Sequence, residues 1–253
     1  MSLINSTYLI MRCLFFILVS PLLIIQVCYV KRYTLRLPVA NTEDIHNQQK
    51  ADLQLLHLGE STVAGVGVTH IKQGLTHTIG EQLEQETGLI INRQVVAENG
   101  ATLSMLNTLK PQQPKPDILL ITLGVNDTSK LTSRRQWREQ LQLCCDTFAN
   151  EATQVYFTQV PNMALFPALP FPLSYFLGLR SKVLDSDLQQ LCAKSNWHYV
   201  STSLPIKPDW MAQDGYHPNA MGYQIWAEEI ATAIGQSIDH KQGEIKQQSL
   251  VAK

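Results

Sequence analysis

The sequence predicts an α/β protein built on one parallel sheet of about five strands, with helices covering both faces. Three observations carry this: short apolar runs that stop at glycine or proline, amphipathic helical stretches between them, and a length sufficient for one full core. The first run is Leu53 to Leu58, broken at Gly59 and followed directly by Glu60-Ser61. A helical stretch, Gln73 to Glu86, places Leu75, Ile79 and Leu83 four residues apart and stops at Gly88. A second strand spans about 89–97 and closes at Glu98-Asn99-Gly100; a short helix over 101–109 then precedes the proline-rich turn 111–116. Asp117 to Leu123 is the clearest strand, and it ends at Gly124-Val125-Asn126-Asp127.

Residues 133–150 predict a helix whose apolar stripe is Trp137, Leu141, Cys144 and Phe148. A fourth strand, 154–160, ends at Pro161. The stretch 163–179 is rich in Phe, Leu and Pro, and reads as the wall of an apolar ligand site, a bilayer-facing surface or a packed crossover. A helix carrying Val183, Leu184, Leu188 and Leu191 runs to about Lys194, and Trp197 to Ser201 forms a fifth short strand. After a loop with Asp214 and His217 comes a last amphipathic helix, 219–238, followed by a polar, frayed tail at 239–253.

The 253 residues carry 20 basic and 21 acidic side chains, a net charge of −1. That balance suits one domain with appendages and gives no reason to expect nucleic acid as a partner. The five cysteines form neither a disulfide framework nor a C-x-x-C metal pattern, and the adjacent Cys144 and Cys145 read as core packing. His70 and His77 have no acidic or thiol companion to suggest a metal site.

Cys13 to Val30 is uncharged and nearly all apolar, about 27 Å long as a helix at ~1.5 Å per residue, close to bilayer thickness. No small-x-small cleavage site follows, so residues 1–30 read as an uncleaved membrane anchor rather than a removed signal. Residues 31–50 then read as a linker and 51–238 as the domain. Lys31, Arg32 and Arg36 outnumber Arg12, which by charge bias puts the body in the cytoplasm, but the bias is small and the sequence leaves the face open. It is equally silent on oligomeric state.

In a parallel sheet all carboxyl ends share one edge, where ligands bind. Topology alone therefore gathers Ser61, Gly100, Asn126, Asp214 and His217 onto one rim. A serine hydroxyl needs a base to become a nucleophile, and His217 can be that base, with Asp214 three residues earlier fixing its tautomer. The backbone N–H groups of Ser61 and Gly100 and the side-chain amide of Asn126 are candidate oxyanion donors. Each residue also has a plainer reading: Gly100 as a turn glycine, Asn126-Asp127 as a helix cap, Asp214-Gly215 as a turn.

Taken in order, Gly59-Glu60-Ser61, Gly100, Gly124-Val125-Asn126-Asp127 and Asp214-Gly215-Tyr216-His217 resemble the four blocks of the SGNH (GDSL-type) hydrolases. The resemblance covers about residues 51–238, and Leu165 to Arg180 also looks like the corresponding part of bacterial single-domain members. It implies a flavodoxin-like three-layer α/β/α sandwich and a serine esterase with no metal or organic cofactor. Ser61 would be the nucleophile, His217 the base and Asp214 its orienter, with Gly100 and Asn126 completing the oxyanion hole. Glu60 departs from the Asp usual in the family. No G-x-S-x-G elbow, G-x-G-x-x-G loop or Walker-type lysine is present. The expected activity is hydrolysis of carboxylic esters, including lysophospholipase- or lipase-like action. Glycan O-deacetylation or acyl transfer on the same triad is the alternative, and a non-catalytic binding module a third.

Overall fold

The computed structural model describes residues 2–41, 51–109, 115–202 and 206–251. In chain order the elements are α1 (Ser2–Tyr33), β1 (Leu53–Gly59), α2 (Leu75–Thr87), β2 (Ile91–Ala97), α3 (Leu103–Leu106) and β3 (Ile118–Thr122). There follow α4 (Val125–Ser129), α5 (Arg134–Phe148), β4 (Gln154–Thr158), α6 (Leu173–Lys194), β5 (Trp197–Val200) and α7 (Ala220–Val251). The five strands pair in parallel in the order β2-β1-β3-β4-β5. The parallel three-layer α/β/α sandwich expected from the sequence is the fold observed.

Side-chain alternation sorts the core onto two faces. Leu56 and Leu58 of β1, Leu119 and Ile121 of β3 and Val155 and Phe157 of β4 pack against α3, α5 and α6. Leu55, Leu120 and Tyr156 point the other way, onto α2 and α7. Each large apolar side chain so buried contributes about 1.5–3 kcal/mol. α5 starts where Ser133 accepts from the Gln136 N–H at 3.2 Å, and its Trp137 ring donates to the Leu184 carbonyl at 3.0 Å, locking α5 onto α6. Cys144 and Cys145 are buried in this layer, and burial pushes the Cys144 thiol up to about 12.

Four details differ from the sequence expectation. A short helix, α4, begins directly after Gly124, too short for periodicity to reveal. α6 reaches back to Leu173, claiming part of the Phe-, Leu- and Pro-rich stretch. α7 continues to Val251 through the expected frayed tail, whose Lys, Gln and Glu are good helix formers and which lacks proline. Part of the expected linker returns to the domain: Ala40 is buried, and Asn41 donates to the Thr69 carbonyl and accepts from the Ile71 N–H, both at 3.0 Å. Residues 42–50, the remainder of that linker, and 110–114, most of the proline-rich turn, lie outside the described residues.

After β1 the chain goes first to one side, to β2, and then crosses back to the other, to β3. β1 and β3 therefore flank the point where the strand order reverses, the usual place for a ligand in such sheets.

Candidate active site

The β1–α2 connection leaves the sheet at Gly59 and turns at once. Val63 and Ala64 both donate to the Glu60 carbonyl at 3.0 Å, and Val66 donates to that of Ser61 at 2.9 Å. No regular helix starts here, so Ser61 stands on a tight turn. Tyr223 of α7 clamps the turn from beneath, its hydroxyl donating to the Val66 carbonyl at 2.6 Å. Gly67, at φ +105°, lets the His217-Pro218 backbone pass close by: a β-carbon there would lie 2.2 Å from the Pro218 carbonyl oxygen.

The loop before α7 supplies the other two predicted residues. Asp214 folds its own loop, one oxygen accepting from the backbone N–H groups of Tyr216 and His217 at 2.9 and 3.0 Å. Its second oxygen meets His217 Nδ1 at 2.6 Å, and His217 Nε2 meets the Ser61 hydroxyl at 2.8 Å. Ser61, His217 and Asp214 thus form one unbroken relay across 156 residues of sequence. Burial works against the ionised Asp214, yet the His217 ring and the two N–H donors outweigh it and hold the carboxyl below its usual range.

Asn126 lies on α4 and is joined to the Ser61 turn through a residue that sequence reasoning had treated only as a neighbour. The buried Glu60 carboxylate accepts from the Val125 and Asn126 backbone N–H groups, both at 3.0 Å, and from the Asn126 side-chain amide. Glu60 therefore caps α4 and takes one of the two amide hydrogens of Asn126, leaving the other free. Burial pushes the Glu60 carboxyl up to about 7 against the pull of these donors. The available signal was positional: β1 and β3 are adjacent in the sheet, so an acidic residue leaving β1 faces the α4 N–H groups.

Asp127 does for the next turn what Glu60 does for this one. One oxygen accepts from the Leu103 N–H at 3.0 Å and the other from the Thr132 hydroxyl at 2.8 Å, joining the segment after Gly100 to α4. Gly100 itself sits at φ +81° with open space where a side chain would project, its carbonyl accepting from Lys130 at 2.7 Å. The positive φ suits the plain turn reading of Gly100. His57 is remote from this chemistry: it is buried between the hydroxyls of Thr76 and Thr122, and burial lowers its pKa to about 3, keeping it neutral.

Beside Ser61 and His217 opens a cavity of about 250 Å³, walled largely by Leu165, Phe166, Ile206, Met211, Tyr216 and Trp226. Phe166 stands edge-on to Tyr216, ring centroids 5.4 Å apart. Mostly apolar walls with the polar relay at one end suit a ligand with a hydrocarbon part and one reactive polar group.

Fold and rim together put the chain in the class of α/β/α hydrolases of the SGNH type. It belongs to the GDSL-like lipase/acylhydrolase family, whose model matches residues 57–225, and is thereby an esterase- or lipase-type hydrolase. Among solved structures it is similar to the psychrotrophic esterase EstA from Pseudoalteromonas sp., at TM-score 0.58 and 20% identity, covering 74% of this chain and 100% of that one. It is also similar to the lipase/acylhydrolase from Enterococcus faecalis (TM-score 0.56, 18% identity, 73% and 96% covered). The lipase Lip_vut3 from a goat rumen metagenome gives a TM-score of 0.55 at 18% identity, with 72% and 97% covered. At these identities the likeness speaks for the fold. No curated protein matches the chain.

Proposed function

We propose that the protein is a serine esterase that cleaves carboxylic esters of apolar acyl chains through an acyl-serine intermediate. The observation that carries this is the relay from Asp214 through His217 to the Ser61 hydroxyl, with contacts of 2.6 and 2.8 Å. In this reading His217 takes the proton of Ser61 as its oxygen attacks the ester carbonyl, and Asp214 stabilises the imidazolium that results. The tetrahedral oxyanion is met by the backbone N–H groups of Ser61 and Gly100 and by the free amide hydrogen of Asn126. The imidazolium then protonates the departing alcohol. Water, deprotonated by the same histidine, frees the acid and restores the serine.

The apolar cavity favours an acyl chain over the acetyl group of a glycan, which would leave most of that surface unfilled. The EstA structure is of an enzyme inhibited by monoethylphosphonate, so a phosphonate is a fitting probe. A fluorophosphonate should label the purified chain, and Ser61→Ala should abolish both labelling and ester turnover. Labelling that survives in Ser61→Ala refutes the assignment of the nucleophile.

A further inference from the structure

From Pro161 through Leu179 the chain carries no charged residue. Met163, Phe166, Leu169, Leu173 and Leu177 of this segment turn inward as a small core of their own. Leu165, Phe171 and Tyr175 turn outward, 53%, 71% and 38% exposed. Arg180, the next charge, folds back to donate to the carbonyls of Thr128 and Thr132 rather than facing outward. An uncharged protrusion tipped by a phenylalanine is costly to leave in water.

α1 lies against this protrusion. Its stretch Leu14–Tyr33 has a mean hydropathy of 2.1, long and apolar enough to cross a membrane, a test that a signal sequence also passes. Its half-buried positions Phe16, Val19, Leu23, Gln26, Val27 and Val30 recur at helical spacing and make one face. Leu23, Val27 and Val30 join the inward core of the protrusion, and Phe16 sits edge-on to Phe176 with centroids 5.2 Å apart. Gln26, a polar interruption in the apolar run, donates to the Phe171 carbonyl at 2.7 Å and accepts from the Leu173 N–H at 3.1 Å.

That pair of hydrogen bonds is informative about the surroundings. The first turn of a helix leaves N–H groups unpaired, which water satisfies freely at a surface and which hydrocarbon does not. Gln26 satisfies that of Leu173 from within the protein, and backbone carbonyls of Pro170 and Pro172 take those of Ser174 and Phe176. It lies about 8 Å along α1 from Lys31, at ~1.5 Å per residue, while Lys31 and Arg32 can reach the headgroup level. An α1 inserted to the depth its basic end allows takes the Phe171 tip below the headgroups with it.

We propose that residues 161–179 are a wedge that enters the lipid bilayer together with α1, and that the cavity receives the acyl chain of a membrane-resident lipid ester from that side. The second half rests on the serine-esterase reading above. Leu165 links the two halves, since it lines the cavity, belongs to the uncharged segment and is 53% exposed.

The test uses the full chain reconstituted in phosphatidylcholine vesicles. Phe171→Trp adds one indole, read as the difference from the parent chain. Lipids brominated along their acyl chains should quench at least half of that added emission; no quenching overturns insertion and leaves a partner of another kind for this face. Phe171→Asp should lower turnover of a long-chain ester embedded in vesicles tenfold or more, with turnover of a short soluble ester unchanged within twofold. Equal losses on both esters, or none on either, overturn the lipid route. A parent chain inactive on both esters refutes the esterase reading and the lipid route together, while quenching still decides insertion independently.

Discussion

Replacing Glu60 by glutamine removes a titratable group from the turn that carries Ser61 and keeps the side chain's length. The ordinary value of this carboxyl is 4.5, and burial pushes it up to about 7. Between those values the folded chain retains a proton that the unfolded chain has released, so stability falls as pH rises from 4.5 toward 7 and levels off above. At ~1.4 kcal/mol per pKa unit the loss is about 3 kcal/mol, a large share of the stability of an ordinary domain. Glutamine does not titrate, but its amide opposes one of the three donors at Val125 and Asn126, a pH-independent penalty of about 1–3 kcal/mol. The assay is urea unfolding of the full chain in detergent at several pH values from 4.5 to 8, for parent and Glu60→Gln. Asp127, also raised by burial, is common to both, and because its charge helps to raise Glu60 the difference between the curves reports the two carboxyls together. The parent should lose its advantage over Glu60→Gln as pH rises. Parallel curves would refute the reasoning, showing that the three donors keep Glu60 ionised throughout.

Asp214→Asn should leave a folded chain whose ester turnover falls about 10³–10⁴-fold, because the amide no longer holds the His217 tautomer; fluorophosphonate labelling should slow in parallel. Ionised Asp214 contributes stability above its ordinary value of 3.8 that is lost as pH falls through its lower folded value, so acid unfolding of Asp214→Asn should lack that component. Gly67→Ala forces a β-carbon toward the Pro218 carbonyl from a left-handed backbone. It should cost about 1–3 kcal/mol and lower turnover at least tenfold, read from steady-state kinetics and thermal midpoints.

The sheet was legible because each strand is a short apolar run with a turn residue at its end, and five such runs separated by helices leave little choice of topology. That Ser61, Asp214 and His217 meet was legible because a parallel sheet brings its carboxyl ends together whatever the distance along the chain, but it was the order of the four motif blocks that singled out these residues. What escaped was short or depended on surroundings. α4 is too brief to show a period, and Leu173–Leu179 joined α6 although the prolines before it and its own aromatics read as a loop. The work of Glu60 and Asp127 could not be read from either residue alone, since each acts across to a neighbouring loop. In the motif block Gly124 to Asp127, the Asn126 amide binds Glu60 across to the β1 turn, whereas Asp127 is spent on Leu103 and Thr132.

Gln26 also bears on how the molecule can be handled. A preparation trimmed to begin in the linker would strip the first turn of α6 of its hydrogen-bonding partner and uncover the apolar core behind it, whose Phe166 also walls the cavity beside Ser61. Such a fragment would expose apolar surface that the whole chain covers, and would be prone to self-association. Kinetics and crystals alike are therefore best taken from a chain that keeps α1.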